Sequence, residues 1–359
     1  MYPVPFPFVP LLVASSLLTA CQSWRNSSHP APQLLADQPS QIRVTRRDGG
    51  RVTLRRPRLS GDTLVGDVAS LSASNGAGGA AFAQRHGLSG PVFALSAGSV
   101  SAAFAVAEAR VKLAFDMLDV VVVGGGETPL DPEIVACFDA AGVLAQANAV
   151  PPCRPFDSDR SGTVLGEGAG AFVLERAEHA RRRGAPPRAI VAGVGASCES
   201  YSAVAPDPSG AGVAQAVRAA LAGTDPTEIG WIKAHGTGTR ANDAAECRGL
   251  AAALGPSLER SWLTSLKPAI GHCLGASAAV EAVAAVLALE DGLVPATLGT
   301  SRIDPALPCC AVATTVREDR RPAALLLEES FGGRCAATLL RRATIRAGGP
   351  GHRGRCLPP

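Results

Sequence analysis

The chain has no surplus of charge of either sign, no long apolar run and no metal-binding cysteine pattern. Its formal net charge is +3 over 359 residues, which gives no electrostatic reason to expect nucleic acid as a partner. The apolar stretch within residues 1–21 is too short and too rich in proline for a transmembrane helix. The ten cysteines show neither paired metal spacing nor a compact disulfide framework. We therefore expect most of them to be reduced and buried, as in a cytoplasmic protein, with no bound metal.

Aromatic residues are equally scarce, at 4% of the chain, whereas 47% of the residues are hydrophobic and 39 are glycine. A composition rich in alanine, valine and glycine lets helices and strands pack closely, which is typical of an α/β protein. A chain of 359 residues can hold one large domain or two of ordinary size.

The N-terminal part differs in character from the rest. Leu18-Thr-Ala-Cys21 is similar to a bacterial lipobox, where a signal peptide is cut and the cysteine is acylated. No Lys or Arg precedes Arg25, however, and a secretory signal normally begins with basic residues. Both interpretations stay open: a cytoplasmic protein, or one anchored to a membrane through Cys21.

Residues 22–66 are expected to form a linker and then a β-hairpin around Asp48-Gly49-Gly50, because polar and apolar residues alternate on both sides of that turn sequence.

Three separated stretches combine chemically active side chains with glycine. Trp231-Ile-Lys-Ala-His-Gly-Thr-Gly-Thr239 is an apolar strand that ends in a histidine and a glycine-rich turn. Thr264-Ser-Leu-Lys-Pro-Ala-Ile-Gly-His-Cys-Leu-Gly-Ala276 carries a lysine five positions before a second histidine. Arg154 to Gly170 is a loop with paired carboxylates that leads into a strand. A histidine at the end of a buried strand can exchange a proton near neutral pH, and glycine allows a ligand to approach the backbone.

In this order, the three stretches resemble the β-ketoacyl synthases, the condensing enzymes of fatty-acid and polyketide synthesis, which have the thiolase fold. The resemblance covers residues 69–342 and implies an α/β, thiolase-like layered fold of helices and mixed sheets. The elements with which that fold begins have no counterpart before residue 69, so we expect its first half to be incomplete and the domain to be truncated at its N-terminus. Residues 343–359, rich in glycine, proline and arginine, are expected to form a disordered tail.

The resemblance also implies partners and an activity. Condensing enzymes take acyl groups from acyl carrier protein, use no cofactor, and work as pairs of chains. We therefore expect acyl carrier protein as a partner and either a homodimer or a heterodimer with another ketosynthase.

The resemblance places the nucleophile at an elbow between a buried strand starting at Val92 and an alanine-rich helix. Counting back from Leu118–Glu127, which matches the family without a gap, puts Ser99 at the position of the family's nucleophilic cysteine. His235 and His272 resemble the pair that polarises the malonyl carbonyl. Lys267 resembles the lysine that orients the second histidine and holds the charge of the site.

The same resemblance assigns the substrate-binding residues. Phe331 and Gly332 lie in a turn that looks like the family's closing Gly-Phe-Gly-Gly loop, where the phenylalanine gates the acyl pocket. The backbone N–H groups of Ser99 and Phe331 would form the oxyanion hole. Thr237 and Thr239, in the turn after the first histidine, are the other predicted substrate contacts.

The acidic residues of the Arg154–Gly170 loop could be mistaken for a metal site. Asp157, Asp159 and Glu167 are interspersed with Arg154 and Arg160, however, and arginines favour salt bridges that fix a loop. The sequence therefore predicts a structural role for this loop.

Serine at the nucleophile position restricts the chemistry. A cysteine thiol, with a pKa of about 8.5, can be ionised by a helix N-terminus, whereas an alcohol needs a general base within hydrogen-bond reach. Three interpretations stay open. The protein is a β-ketoacyl-synthase-type acyltransferase that acylates Ser99 slowly or only decarboxylates malonyl thioesters; it is a non-catalytic partner, like the chain-length factors that pair with an active ketosynthase; or it is the product of a broken gene.

Overall fold

A computed structural model describes residues 41–45, 51–60, 63–68, 77–88, 90–146, 148–309 and 311–343. The chain divides into two compact units between Leu71 and Ser72. Within the described ranges we find no helix that combines the length and the apolar character of a membrane span. The lipobox-like segment, the expected linker before residue 41 and residues 344–359 of the expected tail lie outside the described residues.

The first unit contains a three-stranded antiparallel sheet with the order β1-β2-β3. Its strands are β1 (Gln41–Thr45), β2 (Arg51–Ser60) and β3 (Thr63–Val68). Thr45 pairs with Arg51, which agrees with the hairpin expected from the alternating sequence, although the turn residues themselves lie outside the described ranges.

The second unit contains the helices and strands of the layered fold. Its helices are α1 (Ala77–His86), α2 (Ser101–Ala114), α3 (Pro132–Ala140), α4 (Ala177–Arg182), α5 (Ala211–Ala220), α6 (Arg240–Leu254), α7 (Lys267–Ile270) and α8 (Ser277–Asp291). Its strands are β4 (Val120–Glu127), β5 (Gly168–Glu175), β6 (Ala189–Cys198), β7 (Ile229–Lys233), β8 (Trp262–Thr264), β9 (Leu293–Val294), β10 (Ala311–Val312), β11 (Arg317–Glu318), β12 (Ala323–Ser330) and β13 (Arg334–Arg342).

The main sheet has six strands in the order β10-β8-β7-β12-β13-β6. The first four run parallel to one another, and β13 is antiparallel to both of its neighbours. Because β7, β8 and β12 are parallel, their carboxyl ends meet at one edge of the sheet. His235 follows β7, Lys267 follows β8 and Ser330 ends β12, so the topology brings these three residues together.

Helices cover both faces of this sheet. Leu325 and Leu327 of β12 belong to the core beneath α5 and α6, whereas Ala324 and Leu326 belong to the core beneath α8, as the two-residue period of a strand requires. On that second face, α2 and α8 lie between the main sheet and the two-stranded antiparallel sheet of β4 and β5. This succession of helices and mixed sheets confirms the layered α/β fold predicted from the sequence.

The segment before Ser99 departs from the prediction of a buried strand, which is wrong. Residues 91–96 pair with no other strand in the described part of the chain, and Val92, Phe93 and Leu95 are exposed. An apolar run becomes a buried strand only where a neighbouring strand can take up its backbone hydrogen bonds. The alanine-rich helix predicted after it does form, as α2.

Strand β6 lies unusually close to helix α5. A Cβ atom placed on Gly195 would stand 1.9 Å from the backbone oxygen of Ala216 and 2.7 Å from the backbone nitrogen of Ala220. Both are backbone atoms of a helix and cannot move aside on their own. The absence of a side chain at this position therefore sets the distance between the helix and the sheet.

We expect Gly195→Ala to lower the free energy of unfolding by about 1–3 kcal/mol, the usual cost of overpacking a core. The measurement is urea denaturation followed by circular dichroism. Gly124→Ala in β4 is the matched control, because a Cβ there meets nothing closer than 3.6 Å. Equal stability of the two variants would contradict the close approach of β6 and α5.

Candidate active site

Ser99 lies just before helix α2 and is nearly buried. Its Oγ is 3.1 Å from Nε2 of His272, within hydrogen-bond distance. The hydroxyl therefore has the base within reach that the chemistry of an alcohol requires.

The two predicted catalytic histidines lie side by side. Their rings meet edge to face, with centroids 5.3 Å apart, and both residues are buried. The structure thus brings Ser99, His235 and His272 together, although they are widely separated in the sequence.

His272 is held by a serine and not by the predicted lysine. Its Nδ1 is 3.0 Å from Oγ of Ser277, at the start of α8. Because a hydroxyl can donate or accept, both neutral forms of the ring satisfy this contact. With the proton on Nδ1, the Nε2 atom can accept the proton of Ser99; with the proton on Nε2, the ring becomes a donor.

His235 is held by a carboxylate, which restricts it further. Its Nδ1 lies 3.1 Å from Oε2 of Glu328. A carboxylate only accepts hydrogen bonds, so a neutral His235 carries its proton on Nδ1 and leaves Nε2 as an acceptor. The backbone is fixed as well, because the N–H groups of His235 and Gly236 donate to the buried Glu246 at 2.5 and 2.9 Å.

A buried cluster of two ammonium groups and two carboxylates underlies the histidines. Lys233 Nζ donates to Glu281 at 2.5 Å and also to Glu328. Glu281 in turn accepts from Lys267 at 3.0 Å. All four side chains are buried, so each ammonium group depends on a carboxylate partner.

Lys233, Glu281 and Glu328 were not among the site residues predicted from the sequence. The available signal was a lone charged residue within an otherwise apolar strand or helix. Lys233 occupies such a position in β7, whereas Glu281 shares α8 with two further acidic residues and Glu328 is next to Glu329 in β12.

This environment keeps both imidazoles neutral. Burial lowers the pKa of His235 well below its usual range, and the positive charges of Lys267 and Lys233 lower it further. Burial also lowers the pKa of His272, with the charges of Lys267 and Lys233 acting in the same direction. For Lys233 burial acts against the charge, but Glu281 and Glu328 raise its pKa to about 12. Lys267 thus acts on His272 through its charge, while Ser277 orients the ring.

Two family models match the chain, one after the other. The model described as β-ketoacyl synthase, N-terminal domain, matches residues 57–180, and that of the C-terminal domain matches residues 188–301. The chain belongs to the β-ketoacyl synthase family.

Similar proteins agree with this assignment. The tetracenomycin polyketide synthase ketoacyl synthase alpha subunit of Streptomyces glaucescens is 39% identical over 62% of this chain and 54% of its own length. Among solved structures, a type II polyketide synthase acyl-carrier protein in complex with its ketosynthase aligns with 29% identity and a TM-score of 0.72, covering 74% of this chain and 67% of the other. The ishigamide ketosynthase/chain length factor aligns with 30% identity and a TM-score of 0.67, covering 74% and 64%. The chain spans about half the length of the curated relatives it matches.

Within this ketosynthase framework, the backbone N–H of Ser99 already has a partner. It donates to Oγ of Ser330 at 3.1 Å. A side chain on Gly98, whose φ is +66°, would collide with the same hydroxyl at 2.1 Å. The family resemblance implies that the Ser99 N–H belongs to the oxyanion hole, which stays a prediction; in the structure this N–H donates to the Ser330 hydroxyl.

The four predicted substrate-binding residues lie in two turns near this edge of the sheet. Phe331 is partly exposed and packs against Phe138, with ring centroids 5.8 Å apart, and Gly332 follows it at a φ of +84°. Thr239 caps helix α6 by accepting from the N–H of Asn242 at 3.3 Å, and its hydroxyl lies 3.0 Å from that of Thr237. Substrate contacts by these residues stay a prediction.

The acidic loop fixes the turn after His235, in agreement with the structural role expected for it. Arg160 pairs with Asp304 at 2.7 Å and lies 3.6 Å from Asp243. Asp243 accepts from the backbone N–H groups of Phe156 and Gly238 at 2.8 and 3.1 Å. The loop thereby joins the start of α6 to the glycine-rich turn.

The lowered pKa of His272 predicts a specific dependence of stability on pH. The unfolded chain binds a proton at this ring below about pH 6.5, whereas the folded protein keeps the ring neutral. The stability that the neutral ring contributes is therefore present above that pH and is lost as the pH falls. Between pH 7.5 and 5.5, we expect the wild-type protein to lose about 1.4 kcal/mol more unfolding free energy than His272→Asn.

Urea denaturation at the two pH values provides the measurement. His86→Asn is the control, because His86 is an exposed histidine outside the candidate active site. Identical pH dependence of wild type and His272→Asn would show that the buried ring takes up a proton as readily as in the unfolded chain.

Proposed function

We propose that the protein is an acyltransferase of the β-ketoacyl synthase type that acts on acyl and malonyl thioesters of acyl carrier protein, with Ser99 as a slow nucleophile. The observation that carries this proposal is the 3.1 Å contact between Ser99 Oγ and His272 Nε2, beside a second buried imidazole. A partner without catalytic activity would have no need for this arrangement.

Acylation requires the Nδ1–H form of His272. In that form the ring donates to Ser277, and Nε2 takes the proton of Ser99 as its Oγ attacks the thioester carbonyl. The carbon–sulfur bond breaks, the acyl group stays on Ser99 as an ester, and the proton passes to the leaving thiolate of the carrier. The reaction is expected to be slow, because an alcohol is a far weaker acid than a thiol.

Decarboxylation of a malonyl thioester requires the other neutral form of His272, with the proton on Nε2. Loss of carbon dioxide leaves an enolate, whose oxygen needs a hydrogen-bond donor. His272 provides one when its proton is on Nε2 and Ser277 donates to Nδ1. The carbanion then attacks the ester on Ser99 and forms the new carbon–carbon bond. The bond between the acyl carbon and Ser99 Oγ breaks, and the serine oxygen takes up a proton from solvent through His272. His235, with Nε2 unprotonated, cannot donate to the enolate oxygen, so in this scheme the donor is His272.

Two partners are part of this proposal. The substrates are delivered by acyl carrier protein, and one similar solved structure is an acyl-carrier protein in complex with its ketosynthase. A second ketosynthase chain, identical or related, covers the exposed apolar segment of Val92, Phe93 and Leu95 next to the nucleophile. Exposed apolar surface of this kind is typical of an interface between subunits.

One observation favours a second candidate, a chain-length-factor-like partner of an active ketosynthase. The N–H of Ser99 already donates to the Ser330 hydroxyl, whereas an acyl transfer would need it to donate to the oxygen of the acyl carbonyl. Complexes between ketosynthases and chain length factors occur among the similar structures.

Incubation of the purified protein with malonyl-acyl carrier protein and, separately, with an acyl-acyl carrier protein tests the proposal. We expect acetyl-carrier product from the first, and from the second an acyl group on the peptide that contains Ser99, detected by mass spectrometry. Ser99→Ala should abolish the acylated peptide and leave decarboxylation measurable, with Ser301→Ala, at an exposed serine, as the control. If acetyl product forms but no acyl-enzyme is detected, the protein only decarboxylates. If neither forms, the result favours the non-catalytic partner.

The contact between Ser99 and Ser330 generates a second prediction. Ser330→Ala removes the hydroxyl that occupies the oxyanion donor, so acylation of Ser99 should become faster, by about tenfold or more if the donor has its usual effect. Ser330→Thr keeps the hydroxyl and serves as the control. An unchanged acylation rate in Ser330→Ala would mean that the substrate displaces the Ser330 hydroxyl from the Ser99 N–H without slowing the reaction.

A further inference from the structure

Outside the candidate active site, two carboxylates and a thiol converge where the end of β6 meets the turn between β12 and β13. Ligand atoms of Glu199, Glu329 and Cys335 all lie within 4.8 Å of one another. Glu329 and Cys335 are directly opposite each other in the antiparallel pair β12–β13. Their side chains therefore project from the same face of the sheet.

Glu329 has the least explained environment of the three. It is only 5% exposed, and its Oε1 has no hydrogen-bond partner among the described residues. The charged groups that act on it most strongly are acidic: Glu246, Glu199 and Asp243, followed by Glu328. A buried carboxylate without a partner costs several kcal/mol, so its charge has to be removed by a proton or balanced by a cation.

The other two groups are held in place around it. Sγ of Cys335 lies 3.8 Å from Oε1 of Glu199, while Oε2 of Glu199 accepts from the N–H of Asp207 at 2.8 Å. Gly212 of α5 packs directly against the pair, since a Cβ there would be 2.5 Å from Cγ of Glu199 and 3.2 Å from the Cys335 sulfur. Glu199 is partly exposed, which leaves the group open to solvent on one side.

The separation between the sulfur of Cys335 and Oε1 of Glu199 suits a small divalent ion. In a tetrahedral zinc site, with zinc–sulfur and zinc–oxygen distances of about 2.3 and 2.0 Å, a sulfur and an oxygen ligand are about 3.5 Å apart. The separation of 3.8 Å between Cys335 and Glu199 requires only a small adjustment. One thiolate and two carboxylates form a donor set that zinc and neighbouring first-row ions accept.

We propose that Glu199, Glu329 and Cys335 bind a divalent first-row transition ion of the Zn²⁺ type, with water from the open side completing the coordination. Binding releases the thiol proton of Cys335 to solvent and supplies the positive charge that the buried Glu329 lacks. Because Ser330 and Phe331 directly follow Glu329, the ion would also fix the turn that reaches the nucleophile.

Cobalt provides a spectroscopic test on the purified full chain. After treatment with a chelator, we expect Co²⁺ to bind with a stoichiometry of one and to produce a near-ultraviolet thiolate-to-cobalt absorption band, which Zn²⁺ then abolishes by displacement. Cys335→Ser should lose the band, and Glu329→Gln should weaken cobalt binding by more than about tenfold.

The control is Cys198→Ser, which removes an exposed thiol from the residue next to Glu199 and should leave the band intact. Should Cys335→Ser fail to fold, the nearly isosteric Glu329→Gln carries the test, with circular dichroism to confirm its structure. Failure of the wild type to bind cobalt, or loss of the band in Cys198→Ser alone, would overturn the proposal. The readout needs no acyl transfer, so it is independent of the proposed function.

Discussion

The site depends on a buried balance of charge between Lys233, Lys267, Glu281 and Glu328. Transferring each of these groups out of water costs several kcal/mol, and the cost is offset only because every ammonium group contacts a carboxylate. Glu281 joins the two lysines, so β7, α7 and α8 are held to one another at the edge where the histidines emerge. Removing a single member would leave an uncompensated charge, a loss of about 3–5 kcal/mol in comparable buried pairs.

The same buried charges influence the protonation of the two imidazoles and therefore their chemical roles. Burial, reinforced by the charges of the two lysines, lowers the pKa of both rings and keeps them neutral, and Glu328 fixes the proton of His235 on Nδ1. His272 faces a hydroxyl on each side, Ser99 and Ser277, and so retains two forms, one suited to removing a proton and the other to donating a hydrogen bond. A site with one adaptable histidine and one fixed histidine can couple a serine nucleophile to decarboxylation, but only if the proton of His272 moves between its nitrogens.

Much of this arrangement could be predicted from the sequence, because glycine-rich turns mark the ends of β7 and β12 and the parallel order of these strands places both turns at one edge of the sheet. The charge partners could not be predicted: Lys233 lies 48 residues from Glu281 and 95 from Glu328, and a charged residue in an apolar strand does not reveal what it will meet. The contact between Ser99 and Ser330 spans 231 residues and depends on the exact course of a turn. The prediction of a strand before Ser99 was wrong for a related reason, because a strand needs a neighbouring strand to pair with, and the local sequence does not specify one.

The central claim is that burial and the charges of the two lysines keep the histidines neutral and that Glu328 fixes the proton of His235, and it can be measured directly. Nitrogen-15 NMR of the protein labelled in its imidazole rings reports the protonation of each ring nitrogen, and His235→Asn assigns the signals. At neutral pH the account predicts that His235 is protonated at Nδ1 and unprotonated at Nε2. A His235 ring protonated on both nitrogens, or on Nε2 alone, would contradict it.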